Sequence, residues 1–202
     1  MHPDPTFHVD DLDGLLALAR MRPFATVIAV EDGRAHVEHT PVLCLKDADV
    51  TRLRFCLCSS SEVARIISGG TEAMVVFTGP DAYVSADWLG EPDGLPYWNY
   101  LSAEARGSCG PLSEEALIAT YHEMSARYEK REHPSPEEAV ALRIYAEQMK
   151  DMVGFDMIAA SFVGVRKLSQ DKRRDARAQA GEKLANSGGD RAIAAMMMNQ
   201  GK

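Results

Sequence analysis

Residues 24–58 read FATVIAVEDGRAHVEHTPVLCLKDADVTRLRFCLC, and this stretch decides the fold. Phe24 to Val30 is a β-prone run, Asp32-Gly33 is a hairpin turn signal, and Ala35 to Leu45 continues as a second strand. From Thr51 to Cys58, apolar residues alternate with arginines, as they do in a strand that has one buried face. The stretch therefore predicts three successive strands joined by short turns.

The β pattern continues toward the C-terminus. Strands are predicted at Ala73 to Phe77, Ala82 to Ser85, Trp98 to Ser108 and Val153 to Leu168, with a break at Gly79-Pro80. Up to Ser108, five or six strands thus pass with only one short helix, Glu62 to Ile67, between them. This order favours a mainly β, antiparallel barrel with flanking helices over a sheet of βαβ units.

Further helices are predicted on both sides of the strands. A short helix runs from a cap at Asp10 or Asp11 to Arg20, and residues 113–131 and 135–149 each begin with a serine cap and form a helical hairpin. Residues 171–202 are a charged, Ala-rich tail, expected to be part helix and part mobile. The expected organisation is one domain, residues 1–175, followed by a C-terminal tail, residues 176–202.

Composition excludes several function classes. The 202 residues carry a net charge of -8, which argues against general affinity for nucleic acid or anionic membranes. The basic stretch Lys172-Arg173-Arg174 with Arg177 fits a solvated helix face at least as well as a nucleic-acid contact. No apolar run approaches the roughly 18 residues that span a bilayer, and the N-terminus lacks the regions of a secretory signal. We therefore expect a cytoplasmic protein.

Metal and thiol chemistry are disfavoured as well. His36 and His39 lie three apart on a predicted strand, so that their side chains point to opposite faces. The cysteines lie in apolar segments without C-x-x-C spacing, and we expect buried free thiols at Cys44, Cys56, Cys58 and Cys109. The common catalytic signatures are absent, so the sequence identifies no catalytic residue and no metal site.

Three short segments carry groups that suit an anionic, aromatic ligand. Ser59-Ser60-Ser61 join a strand to a helix, where they either bind a phosphate or simply cap the helix. Trp98-Asn99-Tyr100 either line a flat ring or serve in core or dimer packing. Arg166 to Gln170 bring two cations, a hydroxyl and an amide to the end of the last strand. These groups either bind an anionic cofactor or simply lie at a solvated strand end.

Several segments, taken in chain order, carry a family resemblance: Phe24-Ala25-Thr26, His39-Thr40-Pro41, Phe77 to Ser85, Pro96 to Tyr100, Asp151 to Phe155 and Lys167 to Gln170. Together they resemble the PaiB family of FMN-binding negative transcriptional regulators, which belongs with the pyridoxamine-phosphate-oxidase-like split barrels. The likeness spans about residues 1 to 175. It implies an antiparallel Greek-key split β-barrel, FMN as cofactor, and a homodimer with FMN at its interface.

The resemblance also implies a set of cofactor-binding residues. In that superfamily the FMN phosphate lies near the end of the third strand and the following helix, and the ring lies beside the second strand and residues of the partner. Carried onto this chain, this places Ser59, Ser60 and Ser61 at the phosphate and the Thr40 backbone beside the ring. The remaining members of the implied set are Thr78 and Gly79, Trp98, Asn99 and Tyr100 across the interface, and Lys167, Ser169 and Gln170 closing the site.

The chain departs from the family pattern at the phosphate. Family members commonly carry a histidine and then an Ala-Arg-x-Asn-like stretch where this chain has Cys56 and Cys58 to Ser61. Thr78, Asp81 and Glu104 also stand where glutamine, histidine and histidine are usual. An arginine contact to phosphate contributes roughly 1.5–3 kcal/mol, so FMN stays the leading ligand while this departure favours binding that is weaker than in the family, or lost.

Three functions stay open on the sequence. The first is a flavin-dependent oxidoreductase or flavin reductase, in which the protein holds FMN and the ring performs the redox chemistry. The second is a non-enzymatic transcriptional regulator or ligand-sensing dimer, although no helix-turn-helix can be identified. The third is a scaffold whose flavin site has diverged.

Overall fold

The computed structural model describes residues 2–47, 50–129 and 149–199. Its strands are β1 His8–Val9, β2 Phe24–Glu31, β3 Arg34–Asp47, β4 Val50–Cys58, β5 Ala73–Val84, β6 Tyr97–Pro111 and β7 Met152–Lys167. Its α-helices are α1 Leu12–Met21, α2 Glu62–Ser68, α3 Glu114–Glu129, α4 Arg174–Asn186 and α5 Arg191–Asn199, and two 3-10 helices span Pro5–Phe7 and Ala86–Leu89.

The seven strands form one sheet in the order β1-β7-β4-β3-β2-β5-β6, and β6 also pairs with β7. The second pairing of β7 closes six strands into a ring, with β1 outside it. The pairings of β2 with β3 and β5, of β4 with β3 and β7, and of β1 with β7 are all antiparallel. The prediction of a mainly β, antiparallel split barrel is therefore confirmed.

The β2–β3 hairpin forms where the sequence predicts it. Val30 pairs with Ala35 and Glu31 with Arg34, so Asp32 and Gly33 alone make the turn. Their φ angles are 51° and 75°, and a two-residue type I′ turn requires positive φ at both positions. Aspartate tolerates this region better than most residues and glycine adopts it freely, which explains why this dipeptide determines the register.

The predicted break at Gly79-Pro80 is wrong, because β5 continues from Ala73 to Val84. Buried positions fall on odd residue numbers through Gly79 and on even ones from Pro80 onward. An extra residue in a strand shifts the alternation in this way. A Cβ at residue 79 would lie 2.7 Å from the Leu101 carbonyl oxygen, so glycine permits a close approach between β5 and β6 here.

Residue contacts divide the chain into two compact units. Unit 1 comprises residues 1–21, 78–103 and 162–202, and unit 2 comprises residues 22–77 and 104–161. The long strands β5, β6 and β7 each contribute residues to both units.

The core of unit 1 includes the two C-terminal helices. Leu184 of α4 and Ile193 and Met197 of α5 pack with Val84, Leu89 and Leu168. The described part of the predicted tail is thus helical in residues 174–186 and 191–199 and contributes buried apolar side chains.

The core of unit 2 lies between strands and α2. The rings of Phe55 and Phe155 are 5.6 Å apart, and Ile66 and Ile67 of α2 are almost fully buried. Ser113 caps α3 through a 3.2 Å bond from the Ala116 N–H, which confirms the first helix of the predicted hairpin. The second helix, at 135–149, lies outside the described residues apart from its last position. None of the described helices is long and apolar enough to cross a membrane.

Candidate functional site

Ser59, Ser60 and Ser61 form the serine turn, which lies in unit 2 between β4 and α2 and is held by backbone hydrogen bonds. The Ser59 N–H donates to the Asp151 carbonyl at 2.7 Å, and the Ser61 N–H donates to the Cys58 carbonyl at 2.9 Å. The Ser61 hydroxyl accepts from the Ala64 N–H at 3.2 Å and is therefore the N-cap of α2. The capping role that the sequence left open for these serines is present for Ser61.

Ser61 has a second partner, Glu38, that the sequence analysis missed. The Ser61 hydroxyl donates to Oε2 of the Glu38 carboxylate. In the β2–β3 register Glu38 pairs with Val27 and Thr40 pairs with Ala25, so both polar side chains share a face with buried apolar residues. This period-two spacing of Glu38 and Thr40, on the strand before the serine turn, is the signal that could have drawn attention to Glu38.

Thr40 is buried and serves the same junction. Its hydroxyl donates to the Cys56 carbonyl at 2.8 Å, close to the end of β4. Thr40 and Glu38 therefore attach β3 to the segment that carries the serine turn. The side chain of Thr40 is engaged in this bond, and its backbone belongs to a strand that pairs with β2.

Arg65 is the cation that α2 carries one turn beyond the serines, and two carboxylates hold it. Its guanidinium donates to both oxygens of Glu31, at 3.0 and 2.5 Å, and to Glu62 at 3.0 Å. These contacts raise the pKa of Arg65 above its usual range and lower that of Glu31. The positive charge of Arg65 is thus already matched within unit 2.

These contacts do not fit a phosphate dianion at the serine turn. Such a group needs hydroxyl and amide donors with an unopposed positive charge nearby. The Ser61 hydroxyl instead donates to a carboxylate, and the Ser60 hydroxyl lies 3.1 Å from the Cys58 sulfur. As arranged, this part of the predicted site disfavours the FMN phosphate.

In unit 1, Asn99 and Ser169 form a buried pair. The Asn99 Nδ2 donates to the Ser169 hydroxyl at 3.0 Å, and that hydroxyl lies 3.1 Å from the Asn99 Oδ1. Both side chains have 0% exposure, and the Met197 sulfur is 3.3 Å from the same Nδ2. The structure brings these two predicted residues together, and it places them beneath the surface of unit 1.

Gln170 follows β7, and its side chain bonds back to the backbone at the end of that strand. Its Oε1 accepts from the Leu168 N–H at 2.7 Å, and its Nε2 donates to the Arg166 carbonyl at 2.5 Å. Gln170 also borders an open cavity of about 640 Å³, whose lining includes the cations Arg166 and Arg177. Gln170 therefore has both a structural role and access to a cavity.

The exposed groups of unit 1 are aromatic and cationic. Trp98 is 56% exposed and meets Tyr83, which is 50% exposed, edge-on at 6.3 Å. The Lys167 amine lies 5.7 Å from the Phe7 ring and 5.8 Å from the Tyr97 ring. These are cation–π distances, so a cation is held above aromatic faces here.

Tyr97 is a further residue that the sequence analysis did not single out. The Lys172 amine lies 4.5 Å from its ring and 3.1 Å from both oxygens of Glu91. Tyr97 and then Glu91 raise the pKa of Lys172 above its usual range. The other predicted residues of unit 1 are Thr78, exposed on β5, Gly79, buried at the β5 shift, and Tyr100, half-buried on β6.

None of the four cysteines forms a disulfide, and Cys44 and Cys56 are buried, as the sequence predicts, whereas Cys58 and Cys109 are only half-buried. Burial raises the pKa of Cys56 to about 11 and that of Cys109 to about 12, so both stay neutral near pH 7. Within residues 2–47, 50–129 and 149–199, no group of three or more histidine, cysteine or acidic side chains is arranged to hold a metal ion.

A family model described as "Putative FMN-binding domain" matches residues 1–160. The chain belongs to this FMN-binding family. The Bacillus subtilis (strain 168) protein named protease synthase and sporulation protein PAI 2 is 25% identical over 167 residues, which cover 82% of this chain and 80% of that protein. The resemblance to the PaiB family is therefore confirmed, and with it FMN as the cofactor of the family.

Solved structures that resemble this chain include two flavoproteins. An FAD and heme binding protein from Mycobacterium smegmatis has a TM-score of 0.61 at 16% identity, covering 90% of this chain and 80% of that one. The flavocytochrome Anf3 from Azotobacter vinelandii has a TM-score of 0.58 at 14% identity, covering 83% and 72%. Because the sequence identities are low, these two likenesses show only that the chain shares the fold of both proteins.

Proposed function

We propose that this chain is a cytoplasmic homodimer that binds a flavin, with FMN as the leading ligand. The family match over residues 1–160 supports a flavin ligand. The two structural neighbours, which are named for FAD and heme binding and as a flavocytochrome, support the same class of ligand on this fold. Bound FMN would supply the redox chemistry, while the chain binds and orients it.

The exposed ring of Trp98 is the observation that carries the proposal. A large aromatic side chain that stays open to water gains free energy when a flat ring or a partner subunit covers it. Tyr83 already holds Trp98 edge-on at 6.3 Å, so little side-chain freedom is lost on binding. The Lys167 amine, held over two rings, adds a cation to the same unit, and an electron-rich or anionic part of the ligand would accept from it.

The predicted site residues then divide by role. In this proposal Thr40 of one subunit lies beside the flavin ring, Ser59, Ser60 and Ser61 lie at its phosphate end, and Trp98 and Tyr100 reach it across the dimer interface. The remaining members of the proposed set are Thr78, Gly79 and Lys167. Asn99, Ser169 and Gln170 act as positioning residues, because their side chains bond to one another or to the backbone around the end of β7. Their effect on the ligand passes through Lys167, which Ser169 and Gln170 follow closely in the chain and to which Asn99 is linked through Ser169.

A flavin titration of the ligand-stripped protein tests the proposal. We expect saturation near one flavin per chain in the micromolar range, a free energy of about -8 kcal/mol. The double substitution Trp98→Ala, Lys167→Ala should weaken binding at least about tenfold, while sedimentation shows two chains per particle for both proteins. The matched control Tyr128→Ala, Arg127→Ala removes an exposed aromatic and a cation from α3 and should leave affinity unchanged. Equal affinity of the two double variants would place the flavin elsewhere.

A ligand-sensing or regulatory dimer is the second candidate function. The contact between Ser61 and Glu38 favours it, because that contact opposes the FMN phosphate in a family that binds FMN. The name of the Bacillus relative, protease synthase and sporulation protein, connects that protein with sporulation, and such a connection supports the regulatory candidate. Reduction of bound flavin by NADH or NADPH with turnover would favour the enzyme, and salt-dependent retention of DNA would favour the regulator.

A further inference from the structure

We propose that Glu38 closes the phosphate end of the flavin site, so that this chain accepts riboflavin about as well as FMN. The inference rests on the proposed flavin-binding function and names the part of the flavin that is recognised. Recognition would come from the ring and the ribityl chain, which both flavins share, with little contribution from the phosphate that only FMN carries.

Glu38 already occupies the hydroxyl donor of Ser61 at this turn. The Ser61 hydroxyl has one proton to donate and gives it to the Glu38 carboxylate, while its oxygen accepts from the Ala64 N–H. A phosphate would have to displace Glu38 to receive that proton. The cross-strand pairing with Val27 holds Glu38 at this position, so the strand register, and not a mobile loop, places the carboxylate there.

The charges around the serine turn also oppose a phosphate. A phosphate monoester carries about -1.5 to -2 charges at pH 7, so a fixed carboxylate at the same hydroxyl repels it. Arg65 compensates poorly, because Glu31 engages it in a bidentate pair and Glu62 accepts from its Nε. Serine hydroxyls are neutral donors, and they form weaker bonds to an anion than a guanidinium does. Each of these effects lowers the affinity for FMN and leaves that for riboflavin unchanged.

The test compares the two flavins on the wild type and three variants. Affinities for riboflavin and for FMN are measured by fluorescence quenching and calorimetry on the wild type, Glu38→Gln and the control Asp175→Asn. Glutamine keeps an oxygen that can accept from Ser61 and removes the charge. Asp175→Asn makes the same charge change in an exposed ion pair of α4. Circular dichroism and thermal melting confirm that each variant is folded, and Glu38→Ala provides a second variant that also removes the acceptor.

The wild type should bind the two flavins within about threefold of each other. Glu38→Gln should bind FMN at least about tenfold more tightly, about 1.4 kcal/mol, and riboflavin with unchanged affinity, whereas Asp175→Asn should match the wild type. Wild-type binding of FMN about a hundredfold tighter than riboflavin would overturn the inference and leave the flavin function standing. An equal gain for both flavins in Glu38→Gln would also overturn it. Binding of neither flavin by any variant would overturn the proposed function, and this inference with it.

Discussion

Ser169 shows how a few side chains can hold a single residue in an uncommon conformation. Its φ of 57° lies in the left-handed region, which costs a residue with a Cβ roughly 1–2 kcal/mol. The reciprocal bonds with Asn99 offset this cost, and the Gln170 amide bonds to the backbone of Leu168 and Arg166, which precede Ser169. Because both polar side chains are fully buried, each depends on the other for its hydrogen bonds.

Replacing Asn99 by leucine should therefore destabilise the protein by about 1–3 kcal/mol, because the buried Ser169 hydroxyl loses its partner. Urea unfolding measures this change. Ser125→Ala is the control, since it removes an exposed hydroxyl that bonds to Glu129 on α3 and should cost under about 0.5 kcal/mol. Equal costs for the two variants would show that the Asn99–Ser169 pair contributes little to stability.

Because the Cys56 thiol is buried, we expect the free energy of unfolding to fall at alkaline pH. Burial raises its pKa from an ordinary value of 9.0 to about 11 in the folded protein. Above pH 9 the unfolded chain ionises at this thiol while the folded chain does not, so stability is present below pH 9 and declines as pH rises through about 11. Cys56→Ala should lose less stability over this window than the wild type does, as measured by urea unfolding at fixed pH values. Parallel pH profiles would contradict the assignment.

At the scale of elements, local patterns predicted most of the fold. The alternation in β4, the Asp32-Gly33 turn and the Ser61 and Ser113 caps are each specified within a few residues, and the structure contains all of them. The Gly79-Pro80 signal failed because the neighbouring strand β6, which the local pattern does not describe, accommodates the shift in β5.

The candidate site was harder to predict for the same physical reason. The hydroxyls of Ser59 to Ser61 and the ring of Trp98 can be identified from residue type, and the exposure of Trp98 fits that prediction. The bond from Ser61 to Glu38 joins residues 23 positions apart, and it depends on which face of β3 meets α2. A pattern read along the chain contains no information on such a pairing until the register of the sheet is known.

The crossing of α4 and α5 depends on Gly181. A Cβ at this position would lie 2.9 Å from the Met198 side chain and 3.0 Å from the Ala194 carbonyl oxygen. Gly181→Val should therefore destabilise the protein by about 1–3 kcal/mol, although valine is the better helix former. Thermal melting measures this loss. Gly110→Val is the matched control, because a Cβ there meets no atom within 4 Å, and a similar loss in both variants would refute the steric explanation.

At the scale of the whole molecule, the predicted division at residue 175 can be tested by truncation. Leu184, Ile193 and Met197 pack in the same cluster as Val84, Leu89 and Leu168. A chain that ends at residue 175 would expose this cluster, so we expect it to lose cooperative melting and to be cleaved rapidly by protease within unit 1. A truncated chain that melts as sharply as the full protein would support an independent domain at 1–175.

Unit 1 combines segments that lie far apart in the sequence, so the ribosome synthesises them at different times. The pairing of β1 with β7 joins His8 to Val165, and the same unit needs α4 and α5 from the last residues of the chain. A ribosome adds about 5–20 residues each second, so the segment that carries β7 is synthesised several seconds after β1. Until then β1 has no strand partner, and a chaperone that shields this segment should raise the yield of folded protein.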